Sequence, residues 1–151
     1  MSSARGWSNI VVWTLLGLYL AILLTLTFLP GTQDTTSDIR VNTRPFESIN
    51  RAFRLGPDSF SYRTLIGNVL AFVPFGLLVP LARPHMSWLW VLLAGAGLSV
   101  AIELGQLAVS LAVGYGYRAA DVDDVIVNTA GVIVGYAPVW LLRLTQSARA
   151  G

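Results

Sequence analysis

In the second half of the chain, polar residues recur every three or four positions inside long apolar runs. Gly95, Ser99, Glu103, Gln106 and Ser110 do so in one run, and Asp121, Asp124, Asn128, Gly131 and Gly135 in the next. Such spacing lines one face of a helix in each case. The connection between the runs is short, so two antiparallel neighbouring helices are expected, with their polar stripes free to face each other. Four apolar segments are long enough to cross a bilayer, at about 10–29, 65–82, 87–113 and 122–142. Arg5 precedes the first and Pro30-Gly31 stops it. Its length, with no A-x-A-like site after it, favours an uncleaved span over a signal peptide.

Between the first and second spans lies one long polar connection. It opens on an irregular TQDTTSD, and Pro45 and Gly56-Pro57 then bracket a short helix. Phe46, Ile49 and Phe53 share one face of it, while Glu47, Arg51 and Arg54 lie largely elsewhere. This amphipathic segment either lies in the membrane interface or packs over the mouth of the bundle. Pro74 and Pro80 fall inside the second span, where they free backbone carbonyls that neighbours must satisfy. Trp88 and Trp90 open the third span, and Tyr115 and Tyr117 follow it, as interfacial aromatics do.

Composition agrees with this pattern. Of 151 residues 54 % are hydrophobic and mean hydropathy is +0.64, which predicts a single all-α membrane domain over 1–151, an integral four-helix bundle. Net charge is +2 without a Lys/Arg block, so nucleic acid is not an expected partner, whereas membrane lipid is. The absence of Cys excludes disulfides and thiolate metal sites.

Four spans put both termini and the 83–87 turn on one side, and the long connection and the 114–121 turn on the other. Arg5, Arg83, Arg143 and Arg149 fall on the first side without acids, and six Arg with seven acids fall on the second. Acids weigh little in the positive-inside rule, so the raw count is ambiguous. The purely basic compact connections favour termini in the cytoplasm.

At about 1.5 Å per residue, Asn68, Gln106 and Asn128 lie one to two turns inside the second-side surface, and Glu103 a turn deeper, towards mid-membrane. Asp121, Asp123 and Asp124 gather at the start of the fourth helix, with Arg63 and Arg118 at matching edges. The predicted arrangement is a polar funnel open to one face. A carboxylate at the bilayer centre costs about 2.5–3.5 kcal/mol on the mildest scale, so Glu103 marks either a function or a helix-binding hydrogen bond. Gly131-x-x-x-Gly135 predicts close helix packing. His85 reads as a turn residue. Oxygen ligands suit Mg²⁺ or Ca²⁺, but no fixed ligand spacing occurs, so neither metal nor other cofactor is expected. No Gly-rich phosphate loop, nucleophile elbow or H-E-x-x-H is present.

Three motifs carry a resemblance: NVLAFVPFGLLVP at 68–80, I-E-L-x-Q at 102–106, and R-x-x-D-V-D-D-V-I-x-N-T-x-G-x-x-x-G-Y at 118–136. With N-T-R-P-F-E-S-I at 42–49, they resemble the VanZ-like membrane proteins over residues 42–136. Thr43-Arg44 departs from the apolar residues more usual there. The resemblance implies a membrane protein of four or five helices whose namesake lowers susceptibility to the glycopeptide teicoplanin, and it implies no established reaction. The expected function is therefore non-enzymatic, in the bacterial plasma membrane: binding of an envelope component or glycopeptide at the funnel, with altered drug susceptibility. An intramembrane enzyme acting on a lipid-linked envelope precursor is the alternative, with Glu103 or Asp124 as acid or base. A small transporter or flippase is another, and it would need a homo-oligomer because four helices enclose little volume.

Overall fold

Where no water reaches the backbone, peptide groups must bond within their own segment, so the apolar runs become helices. The computed structural model describes residues 2–29, 38–116 and 119–150. The long helices are α1 (Ser2–Phe28), α3 (Phe60–Ala82), α4 (Trp88–Val113) and α5 (Val122–Ala150), with a short α2 (Glu47–Leu55) between α1 and α3. Two-residue strands β1 (Val41–Asn42) and β2 (Ala120–Asp121) pair in parallel. Each long helix contains a stretch long and apolar enough to cross a membrane, and the molecule is an all-α membrane bundle. The stretch 30–37, with its expected stop and irregular start, lies outside the described residues. So do Tyr117 and Arg118, and the side chains of Arg5 and Arg149.

Three helix boundaries depart from hydropathy, the first being α1, which starts at Ser2, ahead of the apolar run from Ile10. α3 starts five residues before the apolar run, because the Ser59 hydroxyl accepts the Tyr62 N–H at 3.2 Å and so caps the polar turn Ser61–Thr64 into the helix. α5 runs on through the expected polar tail to Ala150. α4 ends where the pattern places it, at Gly114, whose φ of +80° lets its N–H close onto the Ser110 carbonyl at 3.0 Å.

The polar stripe of α4 faces inward. Gly95, Ser99, Glu103, Gln106 and Ser110 are all buried, while Leu104 and Leu111 are 60 % and 64 % exposed. Lipid gives apolar side chains no reason to hide, so small and polar residues take the helix contacts. α3 and α5 run parallel and touch backbone to backbone. A Cβ on Gly131 would stand 2.1 Å from the Val69 carbonyl oxygen, one on Gly135 2.0 Å from that of Val73, and one on Gly76 2.1 Å from that of Val132. Around this seam Phe72, Phe75, Val91, Ile102 and Val132 form the core with Leu23 of α1.

Carbonyls near the prolines of α3 receive side-chain donors. The Tyr19 hydroxyl of α1 donates to the Ala71 carbonyl at 2.8 Å, beside the break in the ladder that Pro74 causes. At the other end Arg143 donates to the Pro84 carbonyl at 3.0 Å and the Pro80 carbonyl at 3.4 Å.

Helix register sets the level of Glu103 relative to its neighbours. α4 is antiparallel to α5, with Ser99 opposite Asn128 and Glu103 opposite Asp121. The Phe28 ring, at the end of α1, lies against Gly105. Glu103 is therefore level with the end of α1 and the start of α5. The inward count began at Gly114, but Leu107 to Val113 rise about 10 Å beyond the neighbouring helix ends.

Candidate functional site: a capped end of the bundle

The residues above that level build a cap. β1 brings Asn42 beside Asp121, and α2 follows over the ends of α3 and α5. Asp123, 1 % exposed at the start of α5, accepts three backbone N–H groups from the start of α2. Phe46 donates to Oδ1 at 2.5 Å, and Ser48 and Ile49 to Oδ2 at 2.7 and 3.1 Å. A carboxylate thus satisfies the open amides of a helix from another part of the chain, where the positive helix end favours it. Phe46 turns into the left-handed region, φ 67°, to present its amide. That conformation costs about 1–2 kcal/mol for a residue with a Cβ, which charge-assisted bonds offset.

Asp121 completes the junction. Its Oδ1 accepts from Asn42 Nδ2 and from the Asp123 N–H, both at 2.9 Å, and its Oδ2 accepts from the Ser48 hydroxyl at 2.5 Å. Its own N–H donates to Glu103 Oε2 at 2.8 Å. Thr43 and Arg44 are exposed, and Arg44 meets this junction through its backbone, its N–H donating to Asn42 Oδ1 at 3.0 Å.

Among the described residues, the polar residues expected to line one funnel make separate contacts. Glu103, Asp121 and Asp123 hold the cap. Gln106 donates from Nε2 to the Thr27 carbonyl at 3.3 Å, tying α4 to the end of α1. Asn128 donates to the Ser99 hydroxyl at 2.8 Å inside the bundle, and its Oδ1 has no partner among the described residues. Asn68 is half-buried on α3 and joins no hydrogen bond of this group among the described residues, and Arg63 is exposed. Arg118 lies outside the described residues. Gly131 and Gly135 sit in the α3–α5 seam.

A cavity of about 150 Å³ does open beside the cap, between α2 and the first turns of α3 and α5. Asp123 and Asp124 form one wall, Ser48 and Arg51 the α2 wall, and Ser61 and Thr64 the α3 wall, with Phe60, Leu65 and Val127 completing it. α2 packs over the end of the bundle, against α3 and α5. It buries Ala52 against the bundle and exposes Phe46, Phe53 and Leu55. Of the lining residues, Ser48, Arg51, Ser61 and Thr64 carried no signal as site residues, although Ser48 lies in the N-T-R-P-F-E-S-I motif.

Fold and site together define a multi-pass helical membrane protein with a polar, capped end. The chain belongs to the VanZ/LLP1 family, whose pattern matches residues 16–143, a longer reach than the motif resemblance over 42–136. No curated protein and no solved structure matches it.

Proposed function

We propose that this chain is a bacterial plasma-membrane protein that binds an amphiphilic envelope component at the cavity beside Asp124, without catalysing a reaction, and so lowers susceptibility to glycopeptides such as teicoplanin. The observation that carries this reading is how the carboxylates are used. Glu103, Asp121 and Asp123 accept bonds from the chain's own backbone and side chains, which makes them parts of the scaffold. Beside this scaffold, Asp123 and Asp124 line a cavity of mixed polar and apolar walls. At about 150 Å³ the space compares with cavities that take a benzene-sized molecule, so it suits the polar end of an amphiphile and not a whole glycopeptide. Termini in the cytoplasm put this end on the outer face, where envelope precursors and glycopeptides meet.

The test is teicoplanin susceptibility of a deletion strain complemented with wild type or Asp124→Asn, at equal membrane abundance by blot. Wild type is expected to restore tolerance and the variant not. A deletion that leaves susceptibility unchanged overturns the drug reading. Turnover of a lipid-linked precursor by the purified protein would replace binding with catalysis.

A further inference from the structure

We infer that an anionic phospholipid binds at the end of the bundle opposite the cap, with its phosphate at Arg143 and one acyl chain along a groove between α4 and α5. This site shares no residue with the cavity beside the cap.

The groove, of about 330 Å³, runs between the first turns of α4 and the later turns of α5. Trp88, Leu92, Ile133, Tyr136, Ala137 and Trp140 line it. Trp88 and Trp140 are 58 % and 50 % exposed, so the groove opens towards the bilayer. Indole rings at a helix end sit where acyl chains give way to headgroups. Arg143 stands one turn beyond Trp140. Its Nη1 donates to the Tyr136 hydroxyl at 3.2 Å, and its guanidinium lies 5.8 Å from the centroid of that ring. Its Nη2 donates to the Pro80 carbonyl, which is open because Pro84, four residues on, has no N–H to offer it. The same nitrogen reaches the Pro84 carbonyl at 3.0 Å, and Pro84 lines a hollow of about 690 Å³ with Arg83 and His85. Arg143 therefore joins the apolar groove to a polar hollow over the 83–87 turn.

Charge selects the lipid. The acceptors of Arg143 are a hydroxyl and two carbonyls, all neutral, and Arg83 rests over the Trp13 ring at 5.3 Å. Among the described residues neither guanidinium pairs with a carboxylate. The sequence explains why: no Asp or Glu occurs in residues 1–33, 59–102 or 125–151, the parts of the chain that reach this end. The bonds of Arg143 leave further N–H groups of its guanidinium for a phosphate, which its planar fork fits. Basic pockets at the ends of spanning helices hold anionic heads in this way. A head with its own ammonium would bring a like charge up to two guanidiniums, whereas a glycerol head leaves the phosphate charge whole. A free phosphate has no chain to fill the groove.

The experiment uses the full-length protein in phosphatidylcholine nanodiscs with a trace of phosphatidylglycerol carrying a diazirine in its chain. Irradiation is followed by mass-spectrometric mapping. Label is expected on residues 88–92 and 133–140, and about tenfold less unlabelled phosphatidylglycerol than phosphatidylethanolamine should halve it, a margin of about 1.4 kcal/mol. Arg143→Gln should abolish that preference. Arg83→Gln should weaken it about threefold, as an exposed charge does, and should melt like wild type, so it carries the test if the Arg143 variant fails to fold. Ala137→Phe fills the groove from its exposed side and should move the label off these residues. Equal competition by the two lipids, or label that Ala137→Phe leaves in place, overturns the inference. Equally strong competition by chain-free glycerophosphoglycerol overturns the lipid in favour of a soluble phosphate ester. A disulfide-linked dimer of the Ala137→Cys protein, with no label in the groove, overturns it in favour of a second copy of the chain.

Discussion

The Asp123 carboxylate receives three amides from the start of α2, while Asp124, next in the chain, lines the cavity between α2, α3 and α5. Asp123→Asn turns an N–H₂ towards amides that need an acceptor. It is expected to lose about 1–3 kcal/mol of stability, seen as a lower melting temperature and faster hydrogen exchange at Phe46, Ser48 and Ile49. Asp124→Asn is expected to lose the cellular phenotype at equal membrane abundance. Glu103→Gln keeps a carbonyl oxygen for the Asp121 N–H and should cost little, whereas Glu103→Leu leaves that amide unanswered, at about 1–3 kcal/mol. The helical stripe that picked out Glu103, Gln106 and Asn128 was legible because helix periodicity is local. Their partners were not. Asp123 meets Ser48 across 75 residues and Gln106 meets Thr27 across 79, and periodicity holds no information at that range.

At the scale of elements, the α3–α5 seam follows from its glycines. Gly131→Ala or Gly135→Ala drives a methyl into a backbone carbonyl and should destabilise the bundle by about 1–3 kcal/mol, read from the midpoint of an SDS titration in mixed micelles. Gly97→Ala, with nothing within 4 Å of the new methyl, should leave the midpoint unchanged or raise it by up to about 1 kcal/mol. Tyr19→Phe removes the donor to Ala71 beside Pro74 and should cost about 0.5–1.5 kcal/mol by the same titration. Four long helices could be read from hydropathy because each must satisfy its own backbone in lipid. The rise of α4 beyond its neighbours could not, because hydropathy says how long a helix is and not where the others end. The two-residue strands escaped notice for a related reason: their pairing joins segments nearly 80 residues apart.

For the whole molecule, the absence of native cysteine makes topology directly measurable. Asp58→Cys should react with an impermeant maleimide in intact cells, and His85→Cys only after permeabilisation; both native side chains are exposed. The reverse pattern would place the termini outside. The cap's anchor also fixes an order of events. The ribosome makes the amides of Phe46, Ser48 and Ile49 well before it reaches Asp123, so three membrane helices are complete before α2 can be fastened. Until then α2 lacks its Asp123 anchor and rests on α3 alone, through contacts such as Phe53 against Tyr62. Arrival of the last span both closes the bundle and fastens α2, so a truncated product keeps the amides of Phe46, Ser48 and Ile49 without that acceptor.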